Sequence, residues 1–278
     1  MKFGIALGAL NPHFHFDATD AAEQLGYESV WLPEHLIFTR TMTNSPHPGE
    51  DIPPVPPDAP IYDAFAYLGY LAARTERVRL GTHVYNIGLR HPFTTARGVQ
   101  TVDLLSGGRF EFGIGASWLE QEWDATQLDF ATRGRRVDEA VEVCKRLFTE
   151  ETISHHGEFF SFDEVVFEPK PVQRPWPPIL VGGESKAALR RAARLGDGWI
   201  GMGHSLESGA AQIAVLRALL AEYGRETSAF QFILGGPVAS RDDAKRWEEI
   251  GVTRMIVSPW RRSPEAIEGM KRFADALL

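Results

Sequence analysis

The stretch Pro178-Ile179-Leu180-Val181-Gly182-Gly183-Glu184-Ser185 decides how this chain is read. Residues 179–181 form a short β-like run, Gly182-Gly183 turns the chain, and residues 186–195 continue as a helix that Ser185 can cap. The same unit recurs on both sides of it. Strands are expected at 3–7, 29–32, 78–85 and 109–114 upstream, and at 199–202, 230–234 and 255–257 downstream. Helices fall between them. Asp17 is placed to cap one whose apolar face is Ala18, Ala21, Ala22 and Leu25, and Gly26 ends it. Others are expected at 62–74, 93–105, 206–223 and 242–250. Val137, Val141, Cys144 and Phe148 share one helical stripe; Ala266, Met270, Phe273 and Leu277 share another.

Eight strand–helix units imply parallel strands joined by right-handed crossovers. At this length the count predicts an α/β fold, a (β/α)8 TIM barrel forming one domain over residues 1–278. A polar, proline-bearing insert at 151–178, with a hairpin around Gly157, separates the fourth helix from the fifth strand. An open doubly wound sheet is the alternative arrangement of the same units.

Composition narrows the function. The 278 residues carry 29 Lys plus Arg against 37 Asp plus Glu, a net charge of −8, which argues against a broad nucleic-acid binder. No apolar run approaches the roughly 20 residues of a membrane span, and the N-terminus lacks the pattern of a signal peptide. Cys144 is the single cysteine, so no intrachain disulfide forms. A cytoplasmic protein acting on a small molecule is expected. Residues 45–60 hold seven prolines and read as an extended loop.

In a barrel, chemistry sits on the loops after the strands. After the first come His13 and His15, read as pocket lining; a metal site is the weaker reading, because the fifth and eighth strand ends offer no further ligand, and no metal is expected. After the second comes Glu34-His35, a candidate proton donor or acceptor beside a carboxylate, or else a surface histidine. Arg90 and His91, after the third, are read as surface residues, with anion binding the alternative. Gly115-Ala116-Ser117-Trp118, after the fourth, allows close backbone approach to a ligand, and Trp118 can flank a flat ring. Gly182, Gly183 and Ser185 open a helix, where backbone N–H groups favour phosphate; the plain alternative is a tight turn with Ser185 as N-cap. His155-His156 lacks the spacing of a helical metal pair and reads as an exposed turn.

Taken together, these motifs resemble the bacterial luciferase-like monooxygenase superfamily. The resemblance runs nearly end to end. It is carried by Gly26 through His35, by Val78-Arg79-Leu80-Gly81-Thr82 with Arg90-His91-Pro92, and by Asp103-Leu104-Leu105-Ser106-Gly107-Gly108-Arg109-Phe110. Pro169-Lys170-Pro171-Val172-Gln173, the stretch from Pro178 to Gly183, and Ala193 to Trp199 continue it. The resemblance implies reduced flavin mononucleotide (FMN) or the deazaflavin coenzyme F420 at the barrel mouth, with a non-proline cis peptide at His83–Val84 behind the ring. It implies His35 as the active-site histidine, with Glu34 orienting it or behind it. Gly182 and Gly183 match the phosphate turn. Ala116, Ser117 and Gln121 match positions near the sugar-alcohol chain. Trp118 would wall the substrate space. Luciferase-type flavin binders tend to carry an arginine where Ala116 stands, so F420 and hydride transfer are expected, with an FMN-dependent monooxygenase as the alternative. A non-catalytic cofactor carrier is the alternative of another class. Relatives commonly dimerise, so a homodimer is open. The loop at 38–62 is expected to close over the mouth.

Overall fold

The alternating units close into a barrel in the computed structural model, which describes residues 1–43, 45–46 and 53–278. Its strands in chain order are β1 (Lys2–Ala6), β2 (Ser29–Leu32), β3 (Arg79–Thr82), β4 (Tyr85–Asn86) and β5 (Phe110–Gly115). After the hairpin β6 (Thr152–His156) and β7 (Ser161–Val166) come β8 (Ile179–Gly182), β9 (Gly198–Gly203), β10 (Gln231–Gly235) and β11 (Arg254–Val257). The sheet runs β3-β2-β1-β11-β10-β9-β8-β5, and pairing of Leu80 with Phe110 and of Gly81 with Glu111 closes it. All these pairings are parallel, and the β3–β5 pairing that closes the circle selects the barrel over the open sheet. The expected insert is present, and its hairpin turns around Gly157.

The helices are α1 (His15–Leu25), α2 (Ala64–Arg74), α3 (Pro92–Leu105), α4 (Glu120–Ala125), α5 (Arg133–Thr149), α6 (Lys186–Leu195), α7 (Leu206–Glu222), α8 (Arg241–Ile250) and α9 (Ala266–Leu277). The periodic stripes explain their packing. Val137, Val141, Cys144 and Phe148 are all fully buried on α5. Burial raises the Cys144 thiol well above its ordinary pKa, so it stays a protonated core side chain. Among the described residues no helix is long and apolar enough to cross a membrane.

Several local expectations are corrected. Asp17 does not cap α1: the helix starts at His15, continuing a 3-10 turn whose own cap is Asn11, and Asp17 lies in its first turn. The single strand expected at 78–85 is split into β3 and β4, with the cis His83–Val84 peptide between them. His155-His156 is not a turn but the end of β6, where His155 Nε2 lies 3.0 Å from Glu139 Oε1.

The barrel interior has two chemically distinct layers. Trp31, Leu180, Ile200, Ile233 and Ile256 fill the middle, with Val84 packed against them from above. Toward the strand N-termini, Arg254 bonds both oxygens of Glu28 at 2.7 and 2.6 Å and reaches Glu111 at 3.3 Å. Arg79 holds the same Glu111 oxygen at 2.5 Å. These buried charges are paired, as their desolvation requires. The apolar plug and ion network close the lower barrel and leave the opposite mouth for a ligand.

Candidate active site

A cleft of about 280 Å³ opens at the strand C-termini, a size at the lower edge of small-molecule sites. The loop after β2 supplies Pro33, Glu34 and His35 to its wall. The bend between β3 and β4 supplies His83 and Val84, and β4 supplies Asn86. The end of β5 supplies Gly115 through Trp118; the end of β8, with the turn after it, supplies Gly182 and Gly183. Ile200 and Met202 of β9 complete that side, and Pro46 reaches in from the proline-rich loop. Asn44 and residues 47–52 of that loop lie outside the described residues, so its expected closure does too.

Val84 forms the floor. A Cβ added at Gly115 would stand 2.6 Å from Val84 Cγ2, and one at Gly182 would stand 2.9 Å from Cγ1. Both positions therefore demand glycine for the backbone to approach Val84 this closely. The result is an apolar step with glycine backbone packed close on both flanks, a surface that could receive a flat ring. His83 lies beside it. Enclosure by the barrel lowers its pKa to about 4, so at neutral pH it is an uncharged imidazole.

His35 is held by a residue the sequence reading missed. Its Nδ1 lies 3.0 Å from Glu122 Oε2. Glu122 is fully buried on α4, and its Oε1 also accepts the Leu36 N–H at 2.6 Å. Glu34, expected to orient His35 or stand behind it, directs its carboxylate to other partners. It accepts the Asn86 N–H at 2.8 Å and the Arg90 guanidinium at 2.5 Å. Burial pushes the Glu34 carboxyl up, and Arg90 and the Asn86 N–H oppose that rise. Arg90 is accordingly not a surface residue: it is partly buried, with its guanidinium 4.4 Å from the Tyr85 ring centroid. The signal for Glu122 was legible: Leu119, Glu122 and Trp123 fall on one helical face, and all three are buried.

Four candidate residues stand outside the cleft wall. His13, expected in the substrate pocket, lines a separate groove with Phe16, Tyr62 and Tyr67 and not this cleft. His15 is a core residue, with Nε2 3.4 Å from the Leu10 carbonyl and Nδ1 3.2 Å from the Tyr67 hydroxyl. Ser185 serves as N-cap of α6, its hydroxyl accepting the Ala188 N–H at 3.1 Å. Gln121 donates to Thr43 Oγ1 at 2.8 Å rather than lining the cleft. Among the described residues no group of three or more His, Cys, Asp or Glu side chains is placed to hold a metal.

The flavin-like fit divides in two. A ring would meet glycine backbone, the apolar Val84 floor, and the imidazoles of His35 and His83 in the cleft wall. For an anionic group only the Gly182-Gly183 turn and the α6 N-terminus could serve, because no Lys or Arg is among the described lining residues. Glu184, next in the chain, accepts the Met202 N–H at 2.6 Å and pairs with His204 Nε2 at 3.2 Å.

The molecule is thus a closed parallel barrel with a glycine-backed cleft and a carboxylate-held histidine at its mouth. The chain belongs to the luciferase-like monooxygenase family, whose profile it matches over residues 1–274, and is thereby an enzyme of the oxidoreductase and monooxygenase class. It is 30% identical over 296 residues to an uncharacterized protein of Mycobacterium tuberculosis, covering 100% of this chain and 99% of that one. It is 31% identical over 202 residues to the FMNH(2)-dependent dimethylsulfone monooxygenase of Pseudomonas putida, covering 72% of this chain and 53% of that enzyme. Its fold superposes on an F420-dependent secondary alcohol dehydrogenase bound to an F420-acetone adduct, with a TM-score of 0.80 at 16% identity over 99% and 98% of the two chains.

Proposed function

We propose that this protein is an F420-dependent oxidoreductase acting on a small organic substrate. The observation that carries the choice is the lack of a free cation among the described residues that line the cleft. Ala116 offers no charge, Arg90 is committed to Glu34, and Glu184 adds a carboxylate beside the phosphate turn. A phosphate monoester such as that of FMN carries about −1.5 to −2 at neutral pH, whereas a diester such as that of F420 carries a single charge. At the phosphate itself, backbone N–H groups and one helix N-terminus suit the smaller charge better.

When bound, the coenzyme supplies a ring carbon that gives or takes a hydride at a substrate carbon. The remaining work falls to this chain. Val84, Gly115 and Gly182 support the ring, and Gly182 and Gly183 with the α6 N-terminus take the anion. His35 exchanges the proton that accompanies the hydride. Trp118 and Met202 bound the substrate space and exclude water. Glu34 and Arg90 brace the loop that carries His35.

The test is turnover. Purified protein with oxidised F420 and a panel of alcohols, and with reduced F420 and a panel of carbonyl compounds, should show substrate-linked change in deazaflavin absorbance. His35→Ala should lower it by about 100-fold or more while coenzyme affinity is kept. Coenzyme bound without turnover on any panel supports a carrier instead. Turnover with reduced FMN and oxygen alone would move the protein to monooxygenation.

A further inference from the structure

We infer that Glu122 fixes which nitrogen of His35 meets the substrate; the inference rests on the reading of His35 as the proton carrier. The observation is a convergence of donors on one buried carboxylate. Oε1 accepts the Leu36 N–H at 2.6 Å, Oε2 accepts the Ser117 hydroxyl at 3.2 Å, and His35 Nδ1 lies 3.0 Å from Oε2. The Glu122 side chain is fully buried, with these groups ranged around it. An ionised carboxylate only accepts. The hydrogen of a neutral His35 therefore sits on Nδ1, and the Nε2 edge is left to the cleft as the lone-pair nitrogen.

Sequence and backbone both serve this contact. His35 follows β2 and Glu122 stands in the first turn of α4 after β5, so the bond ties two loops together across the mouth. Ser117, at φ +62, turns the chain so that its hydroxyl meets Glu122 while accepting the Leu119 N–H at 3.2 Å. Trp118 and Phe38 hold the imidazole from the sides, with ring centroids at 5.6 and 4.8 Å. In this tautomer Nε2 takes a proton from the substrate and returns it from the same atom. The opposite tautomer would present an N–H there and could not accept.

Glu122→Gln tests this without changing shape. Its carbonyl oxygen can keep the Leu36 N–H, and its amide then donates to Nδ1, driving the hydrogen to Nε2. The probe is a long-range proton–nitrogen correlation of the His35 ring in the full-length, cofactor-free protein labelled at histidine nitrogen. It is recorded at about pH 9, above the ordinary histidine range. The His35→Gln spectrum assigns the signals. Wild type should show Nδ1–H, E122Q should show Nε2–H, and turnover of E122Q should fall about 10- to 100-fold. Nε2–H in the wild type alone overturns the inference, whether or not the variant folds, and so does an unchanged tautomer in E122Q. A reversed tautomer with full turnover supports the positioning by Glu122 and instead removes His35 as the proton carrier.

Discussion

Arg90 and Glu34, 56 residues apart in sequence, meet under the rim of the cleft as a partly buried ion pair, Nη2 to Oε1 at 2.5 Å. The pair pins the loop after β2 to the β4 segment, because Glu34 also accepts the Asn86 N–H and Asn86 Nδ2 donates to the Glu34 carbonyl at 3.2 Å. His35 is the next residue. The ion pair therefore sets the backbone from which the imidazole projects.

Removing one partner leaves a buried charge uncompensated. Arg90→Ala should destabilise the fold by about 3–5 kcal/mol in denaturant melts. The double variant with Glu34→Gln should recover part of that loss, giving a clear coupling energy. Independent, additive effects would show that the pair is not a structural brace.

Gly115→Ala places a methyl group where Val84 stands, so Val84 must move off the cleft floor. The expected cost is about 1–3 kcal/mol of stability, as for other overpacked sites. Coenzyme affinity should drop by tenfold or more in a binding titration. Unchanged affinity would mean that the Val84 step is not where the ring rests.

His83 gives a pH signature. The folded state rejects its proton down to about pH 4, whereas the unfolded chain accepts one near 6.5. Stability is therefore lost as pH falls through that window and is unaffected by this group above it. In His83→Gln, the loss between pH 7 and pH 5 should be smaller than in wild type by about 2 kcal/mol, since each unit of separation is about 1.4 kcal/mol. His15 and His91, both also lowered by burial, remain in both proteins and cancel in the comparison.

Asp103 anchors the end of the insert. Its buried carboxylate accepts the Val172 N–H at 2.7 Å, the Gln173 N–H at 3.0 Å and the Gln173 side-chain amide at 2.7 Å. Asp103→Ala should cost about 2–4 kcal/mol, because three donors lose their acceptor together. Hydrogen exchange should rise first around residues 172 and 173. Uniform exchange across the barrel would argue that the insert is held by other contacts.

The barrel was legible because its units repeat: each strand end is followed by a helix whose apolar spacing survives into the packed core, as on α5. Boundaries drifted where polar residues decided them. Asn11 and the 3-10 turn started α1 earlier than Asp17 suggested, and the third strand came in two pieces with a cis peptide between them. That peptide was expected only through family resemblance; spacing and composition do not reveal it. The cleft residues contributed by Gly115 through Trp118 and by Gly182-Gly183 followed from their place after strands. Pairings across the mouth did not. Nothing in the neighbourhood of Glu34 says that it faces Arg90 rather than His35, or that Glu122, 87 residues away, takes the imidazole. Long-range side-chain partners depend on the closure of the barrel, which sequence order alone leaves open. The Asp103 and Arg109 motifs were legible as family marks but serve structure. Arg109 spends its guanidinium on the carbonyls of Ala72, Thr75, Val78 and Ser106, tying α2 and α3 to the barrel base.

The most direct measurement is an equilibrium titration of the purified protein with F420 and with FMN, each in oxidised and reduced form. The account predicts micromolar or tighter binding of F420, weakened by Gly115→Ala, with FMN binding at least tenfold more weakly. Preferential binding of reduced FMN, or binding of neither, would contradict it.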